Sequence, residues 1–410
     1  MARASRHRRL RAALGVAGLL AIPACGGAPT AQQAGIAAVS PSPTARDPLS
    51  SATTRRLDKA VKKVMLEASV PGVIVGLWMG DRGYVRAFGV ADQEAKSSMS
   101  PRLYMRIGSE TKTFTVTALL RLVDKGEVGL DDPVSRYVPD VPGGDRITLR
   151  QLAGMRSGLY PYTSDPGFMK ALAADPKRSF TPRELLDYSF AHPPSFQPGQ
   201  KFEYSNTNTI LLGLVIEKIS GEPLGEFIRR EVLVPAGLKR TVFPRGARFP
   251  RPHAHGYTQQ TAGGETVDAT GWNTSWGWAA GAMVSTLEDL RVWAPTLANG
   301  SLLAPATRAE RMKNPSRASH GLSYGLGVFD DHGWLGHNGS LPGYQTVAVH
   351  LPSQRATLVV LANTDIGYEG HDVSTLFARA ITRIATPRHV YTLPAAPAAS
   401  ASPRPSKARR

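Results

Sequence analysis

Ser109 and Lys112 stand three residues apart at the head of the run IGSETKTFTVTALLRLV (107–123), which past Lys112 is apolar or threonine almost throughout. Such a run predicts a helix buried on most of its circumference. A lysine buried there without a partner would be costly. Residues i and i+3 share a helix face, so the Ser109 hydroxyl and the Lys112 amine can meet. Burial lowers the pKa of an amine, and a helix N-terminus favours a developing oxyanion. The pair therefore predicts an activated serine nucleophile that needs no histidine. In a chain of this length about one such short match arises by chance, yet none of the other twelve lysines has a serine three residues before it.

Two further patterns stand where a serine acyl-transfer enzyme would need them. EYSNTN carries Tyr204 and Asn206, and no other tyrosine of the twelve is followed two residues on by asparagine. GHNGSLPGY carries His337, Gly339 and Ser340, and no other histidine of the ten is followed two residues on by glycine. Competing sites are weaker. GLSYG (321–325) has the form of a nucleophile elbow with Ser323, but that motif needs a strand before it and a helix after it, and LGVFDDHGW reads as strand and turn. His253 and His255 lack a third ligand nearby, so no metal is expected.

Positioning these residues requires a scaffold, and the hydrophobic periodicity outlines one. A helix is predicted in TTRRLDKAVKKVMLEA, then strands in GVIVGLWMG and YVRAFGVAD; near the end come strands TVAVHLP and ATLVVLAN and a closing helix VSTLFARAITRIA. Between about residues 115 and 290 helices and loops predominate, as in RELLDYSFA, ILLGLVIEKIS, LGEFIRREVL and STLEDLRVWAP. Strands at both ends of the chain close one antiparallel sheet flanked by helices, with a mostly helical subdomain inserted. This is an α+β class, not a doubly wound parallel sheet.

Charge and composition narrow the function classes. The formal charge is +17, but ten basic residues lie within 1–25 and 386–410, which contain no acidic residue, leaving +7 for the body. No aromatic-interleaved basic patch accompanies them, so nucleic acid is not an expected partner. Residues 1–25 have a basic start, the apolar run AALGVAGLLAI and then small residues, the layout of an export signal too short to span a bilayer. The single cysteine, Cys25, follows in IPACGG; a lipoprotein box that would tether the protein to the membrane and a plain secretory signal are the two readings. Residues 26–52 read as a flexible linker, 53–385 as the catalytic domain, and 386–410 as a disordered basic tail. The expected location is extracytoplasmic.

Ser-x-x-Lys, Tyr-x-Asn and His-x-Gly in that order resemble the serine β-lactamase-like and penicillin-binding hydrolases, most closely the secreted D-alanyl-D-alanine carboxypeptidases with histidine in the third motif. RSGLYPYT, YSNTN, AGAMVSTLEDL and YGLG extend the likeness over about residues 55–385. The resemblance implies Ser109 as nucleophile, with Lys112 holding Ser109 and Tyr204 in one hydrogen-bonded set. Tyr204 would shuttle the proton, its phenol pKa lowered by nearby cations. Asn206 would hold the acyl-side amide, and His337 would polarise the Tyr204 hydroxyl or the leaving group. Gly339 would let substrate backbone approach, and the N–H groups of Ser109 and Ser340 would form the oxyanion hole. No cofactor is implied. The implied substrates are peptidoglycan peptides or small acyl compounds, with β-lactams as acylating ligands; an esterase or D-amino-acid amidase is the alternative, and a β-lactamase a weaker one. The family's carboxypeptidases tend to place arginine just after YGLG, whereas Val328, Phe329, Asp330 and Asp331 follow here. That departure puts binding of a terminal carboxylate in question.

Overall fold

In the run Gly72–Met79 valine, isoleucine and leucine fall on alternating sides of an extended chain, and a strand built this way can bury both faces. It does so in the structure, a computed structural model that describes residues 47–319 and 321–394. This strand (β1) forms a hairpin with Arg82–Asp92 (β2). The C-terminal strands are Ser316–Ser319 (β3), Leu322–Tyr324 (β4), Phe329–Asp331 (β5), Trp334–Leu341 (β6), Tyr344–Leu351 (β7) and Ala356–Ala362 (β8). Across the sheet the order is β2-β1-β8-β7-β6-β5-β4-β3, every neighbour antiparallel, with Asp47–Pro48 adding a short parallel edge beside β2. The first hairpin thus closes on the last strand, Val75 opposite Val360.

The helices that position the site or cover the sheet are α1 (Ser51–Glu67), α2 (Thr111–Asp124), α3 (Asn206–Ser220), α4 (Leu287–Asn299) and α5 (Val373–Ala385). Leu358, Val360 and Ala362 of β8 share a core with Leu57 and Val61 of α1 and Phe377 and Ile381 of α5. Val359 and Leu361, on the other face, pack into the larger core of α2, α3 and α4. Threonines are frequent in α2 because their hydroxyls find partners inside this core. Thr115 donates to Ala279 O at 2.8 Å, Thr117 to Thr113 O at 2.6 Å, and Thr113 accepts from Trp293 Nε1 at 2.8 Å while Phe114 stacks on the Trp293 ring.

The α+β architecture agrees with the expectation; some boundaries do not. α1 starts at Ser51 under a Ser50 cap, and Leu49 is buried, so the last residues assigned to the linker belong to the fold. The predicted insertion boundary near 290 falls inside α4, whose apolar side lies on the sheet. The tail expected to be disordered from 386 is packed as far as Leu393. Tyr391 is buried in the α1–α5 core, Trp334 Nε1 donates to His389 O, and Thr392 N–H donates to Asp331 Oδ2. One tyrosine with a built pocket outweighs the Pro, Ala and Ser around it. The stretch read as an export signal, Cys25 and most of the linker lie outside the described residues, as do 395–410.

Candidate active site

Ser109 sits in a tight turn, Gly108–Glu110, that feeds directly into α2. The turn depends on Gly108, which has φ +53° and whose absent Cβ would lie 2.8 Å from Ser340 N. The first turn of α2 then carries Lys112 to the serine: Nζ is 2.9 Å from Ser109 Oγ and donates to Ala280 O, also at 2.9 Å. Lys112 is fully buried, and desolvation holds its pKa well below the ordinary lysine value. Nζ thus donates to both Ser109 Oγ and Ala280 O, and the lowered pKa brings the neutral amine, whose lone pair can take the Ser109 proton, within easier reach than at an ordinary lysine.

Tyr204 precedes the first turn of α3, which begins at Asn206. Its hydroxyl is hydrogen-bonded to Ser109, and Lys112 Nζ lies 4.9 Å from the centre of its ring. Burial pushes the Tyr204 phenol above the ordinary tyrosine value, the Ser109 hydrogen bond only partly offsetting it. This corrects the expectation of a cation-lowered phenol: desolvation dominates, and no cation is among the groups that shift the Tyr204 hydroxyl. The Tyr204 phenol therefore stays protonated at rest.

The third motif lies on β6. Only Trp334–Gly336 of that strand pair with β5, so from His337 onward one edge has no strand partner and faces the Ser109 turn. A Cβ on Gly339 would fall 1.9 Å from Ile107 O and 3.0 Å from Ser109 N. The backbone N–H groups of Ser109 and Ser340 are thereby brought side by side, as an oxyanion hole requires. Gly339 thus allows the backbone of the Ser109 turn to approach, a role beside the substrate-facing one expected of it. Gly339→Ala should therefore reduce kcat about 10²-fold with little change in KM, read by steady-state kinetics on an activated ester. Unchanged kcat would show that this close approach is dispensable.

His337 is brought to the site, but its hydrogen bonds go elsewhere than expected. Nδ1–H donates to Asn338 O, and Nε2 accepts from Tyr324 OH at 3.3 Å. Burial and the nearby Lys112 push the imidazole down to about 3, so it is neutral at any working pH. With its single proton on Asn338 it has none to offer Tyr204, whose ring centre is 6.0 Å away. The His337 ring packs 4.6 Å from Phe329, which also stacks parallel to Tyr204 at 6.3 Å. Tyr324 was missed by sequence reasoning, although GLSYG had drawn notice for Ser323. Ser323 itself pairs in register with Asp330 of β5 and is followed by strand, not helix, so no elbow forms.

Ser109, Tyr204, Asn206, Asn338 and Ser340 open into one cavity of about 620 Å³, whose apolar wall is Phe202, Leu322, Phe329 and Leu393. Asp372 at the start of α5 is the one charged residue lining it among the described residues. His253 and His255 lie apart from this cavity, and no cluster of metal-ligating side chains occurs among the described residues.

The Beta-lactamase family model matches residues 57–382. The chain is 26% identical over 332 residues to Protein flp of Staphylococcus aureus (strain N315), covering 78% of this chain and 65% of that relative's length. Among solved structures it is similar to a D-stereospecific amidohydrolase from Streptomyces sp., with TM-score 0.71, 30% identity, and 76% and 94% of the two chains covered. It is also similar to the D-amino acid amidase from Ochrobactrum anthropi SV3 complexed with L-phenylalanine amide, with TM-score 0.68, 29% identity, and 80% and 96% covered.

Proposed function

We propose, for a chain that belongs to the Beta-lactamase family of serine hydrolases, that its reaction is hydrolysis of an amide or ester of a D-amino acid through an acyl-enzyme on Ser109. Lys112 takes the Ser109 proton as Oγ attacks the carbonyl carbon. The Ser109 and Ser340 N–H groups hold the oxyanion, and Tyr204 passes the proton to the departing amine or alcohol. Water then attacks the ester to Ser109 by the same route in reverse.

The observation that carries this reading over a D-alanyl-D-alanine carboxypeptidase is the charge of the cavity. A carboxypeptidase must bind a free terminal carboxylate, usually with a cation. Here the lining offers no lysine or arginine among the described residues and one carboxylate, Asp372. The likeness to a D-stereospecific amidohydrolase and a D-amino acid amidase supports the D configuration.

Comparing N-acetyl-D-alanyl-D-alanine with its C-terminal amide tests the point, because the two differ only in the terminal charge. The neutral amide is expected to have the higher kcat/KM, by about tenfold or more. Faster turnover of the free acid would restore the carboxypeptidase reading.

A further inference from the structure

Asp372 lies at the N-terminal boundary of α5, yet its side chain accepts no hydrogen bond from the first turn of the helix. Its Oδ1 accepts instead from Gln345 Nε2 at 2.9 Å, and that same nitrogen lies 3.5 Å from Ser340 Oγ. Gln345 is itself 1% exposed and is fixed at its other end by the Ser374 N–H, which donates to Oε1 at 3.2 Å. One rigid side chain therefore ties Asp372 to the residue whose N–H completes the oxyanion hole. The second carboxylate oxygen takes no hydrogen bond, and no salt bridge reaches Asp372, among the described residues.

A cation would be electrostatically favourable at this point. Burial and the neighbouring Asp365 push the Asp372 carboxyl up, and His371 and the Gln345 hydrogen bond oppose them only in part. A positive group entering the cavity would relieve both the burial and the repulsion. The rest of the wall is apolar, so such an ion pair would form away from bulk water.

We propose that Asp372 is the specificity residue for the acyl side of the substrate and selects donors with a free ammonium group, the unblocked D-aminoacyl group first among them, over N-acylated donors. The inference rests on the acyl-enzyme reading of Ser109 and adds the chemistry of the donor to it. An α-ammonium lies two bonds from the carbonyl carbon held at the Ser109 and Ser340 N–H groups, on the same side of the reaction as the ester that forms. The carboxylate–ammonium contact is charge-assisted and is lost when the amine is acetylated.

The test compares kcat/KM for D-alanine p-nitroanilide and N-acetyl-D-alanine p-nitroanilide in the wild type and in Asp372→Asn. The wild type should favour the free amine at least about tenfold, and Asp372→Asn should bring the ratio close to one through KM of the amine-bearing donor. A wild-type ratio near one or below, or a ratio unchanged in Asp372→Asn, overturns the proposal. The burst with p-nitrophenyl acetate, which carries no amine, is read in parallel. Its presence in Asp372→Asn shows that the site is assembled, and if it is lost there the wild-type ratio decides alone. Its absence in the wild type would overturn the Ser109 reading, an outcome separate from failure at Asp372.

Discussion

Ser109→Ala should lower kcat/KM on an activated ester by about 10⁴-fold or more, and should abolish the mass increase that a fluorescent penicillin leaves on the intact protein. The size follows from the geometry. Lys112 and Tyr204 each share a hydrogen bond with the one oxygen that the substitution removes, and the other partner of Lys112 is a backbone carbonyl, so neither has another nucleophile to activate. The oxyanion N–H groups remain, which leaves a residual rate over water and no covalent intermediate. Ser323→Ala is the matched control, since Ser323 sits on β4 against Asp330 and is not among the described residues that line the Ser109 cavity. Labelling that survives Ser109→Ala and disappears in Ser323→Ala would move the chemistry to β4.

Periodicity made much of the scaffold legible, for identifiable reasons. β1, β7 and β8 are buried on both faces, and their β-branched runs separate cleanly from the helix period of α5. Ser109 and Lys112 were visible because a helix makes i and i+3 neighbours whatever surrounds them. Residues that meet through tertiary structure were not visible. Lys112 is held by Ala280 O, 168 positions away, and nothing local marks a backbone carbonyl as a partner. His337 meets Tyr324 because β4, β5 and β6 lie side by side in the sheet, Tyr324 opposite Phe329 and Phe329 opposite Gly336; without that register the imidazole could be assigned to either tyrosine. The role of Gly339 depends on how closely β6 passes the Ser109 turn, a distance that no spacing in the chain encodes. Asp372 is brought to the cavity by the packing of α5 against β7 and β8, and its sequence context, HDVSTL, reads as an ordinary helix start.

Lys112→Met should reduce kcat/KM about 10³-fold and at the same time stabilise the fold at neutral pH, and the pair of effects identifies the amine as a base. Buried without a carboxylate, Lys112 has its pKa lowered by desolvation. In the unfolded chain it titrates near the ordinary value of about 10.4. Between the folded and the unfolded pKa the unfolded state binds one more proton, so folding stability rises with pH across that window, by about 1.4 kcal/mol for each unit. Methionine of similar length removes both the proton release and the burial of a polar amine, while leaving Ala280 O short of a donor offsets about 1 kcal/mol of the gain. Urea unfolding at several pH values should therefore give a steeper rise of stability with pH in the wild type than in Lys112→Met. The same proton sets the activity profile. Below the folded pKa of Lys112 the ammonium cannot take the Ser109 proton, so wild-type kcat/KM should fall toward acid with unit slope. His337, at about 3, does not set that limb, and Tyr204, raised above the usual tyrosine range, adds no alkaline limb below about pH 10. His337→Gln should accordingly keep the acid limb, whereas the residual activity of Lys112→Met should lack it. An acid limb that persists in Lys112→Met and moves in His337→Gln would return the proton to the imidazole and leave Lys112 as a structural cation.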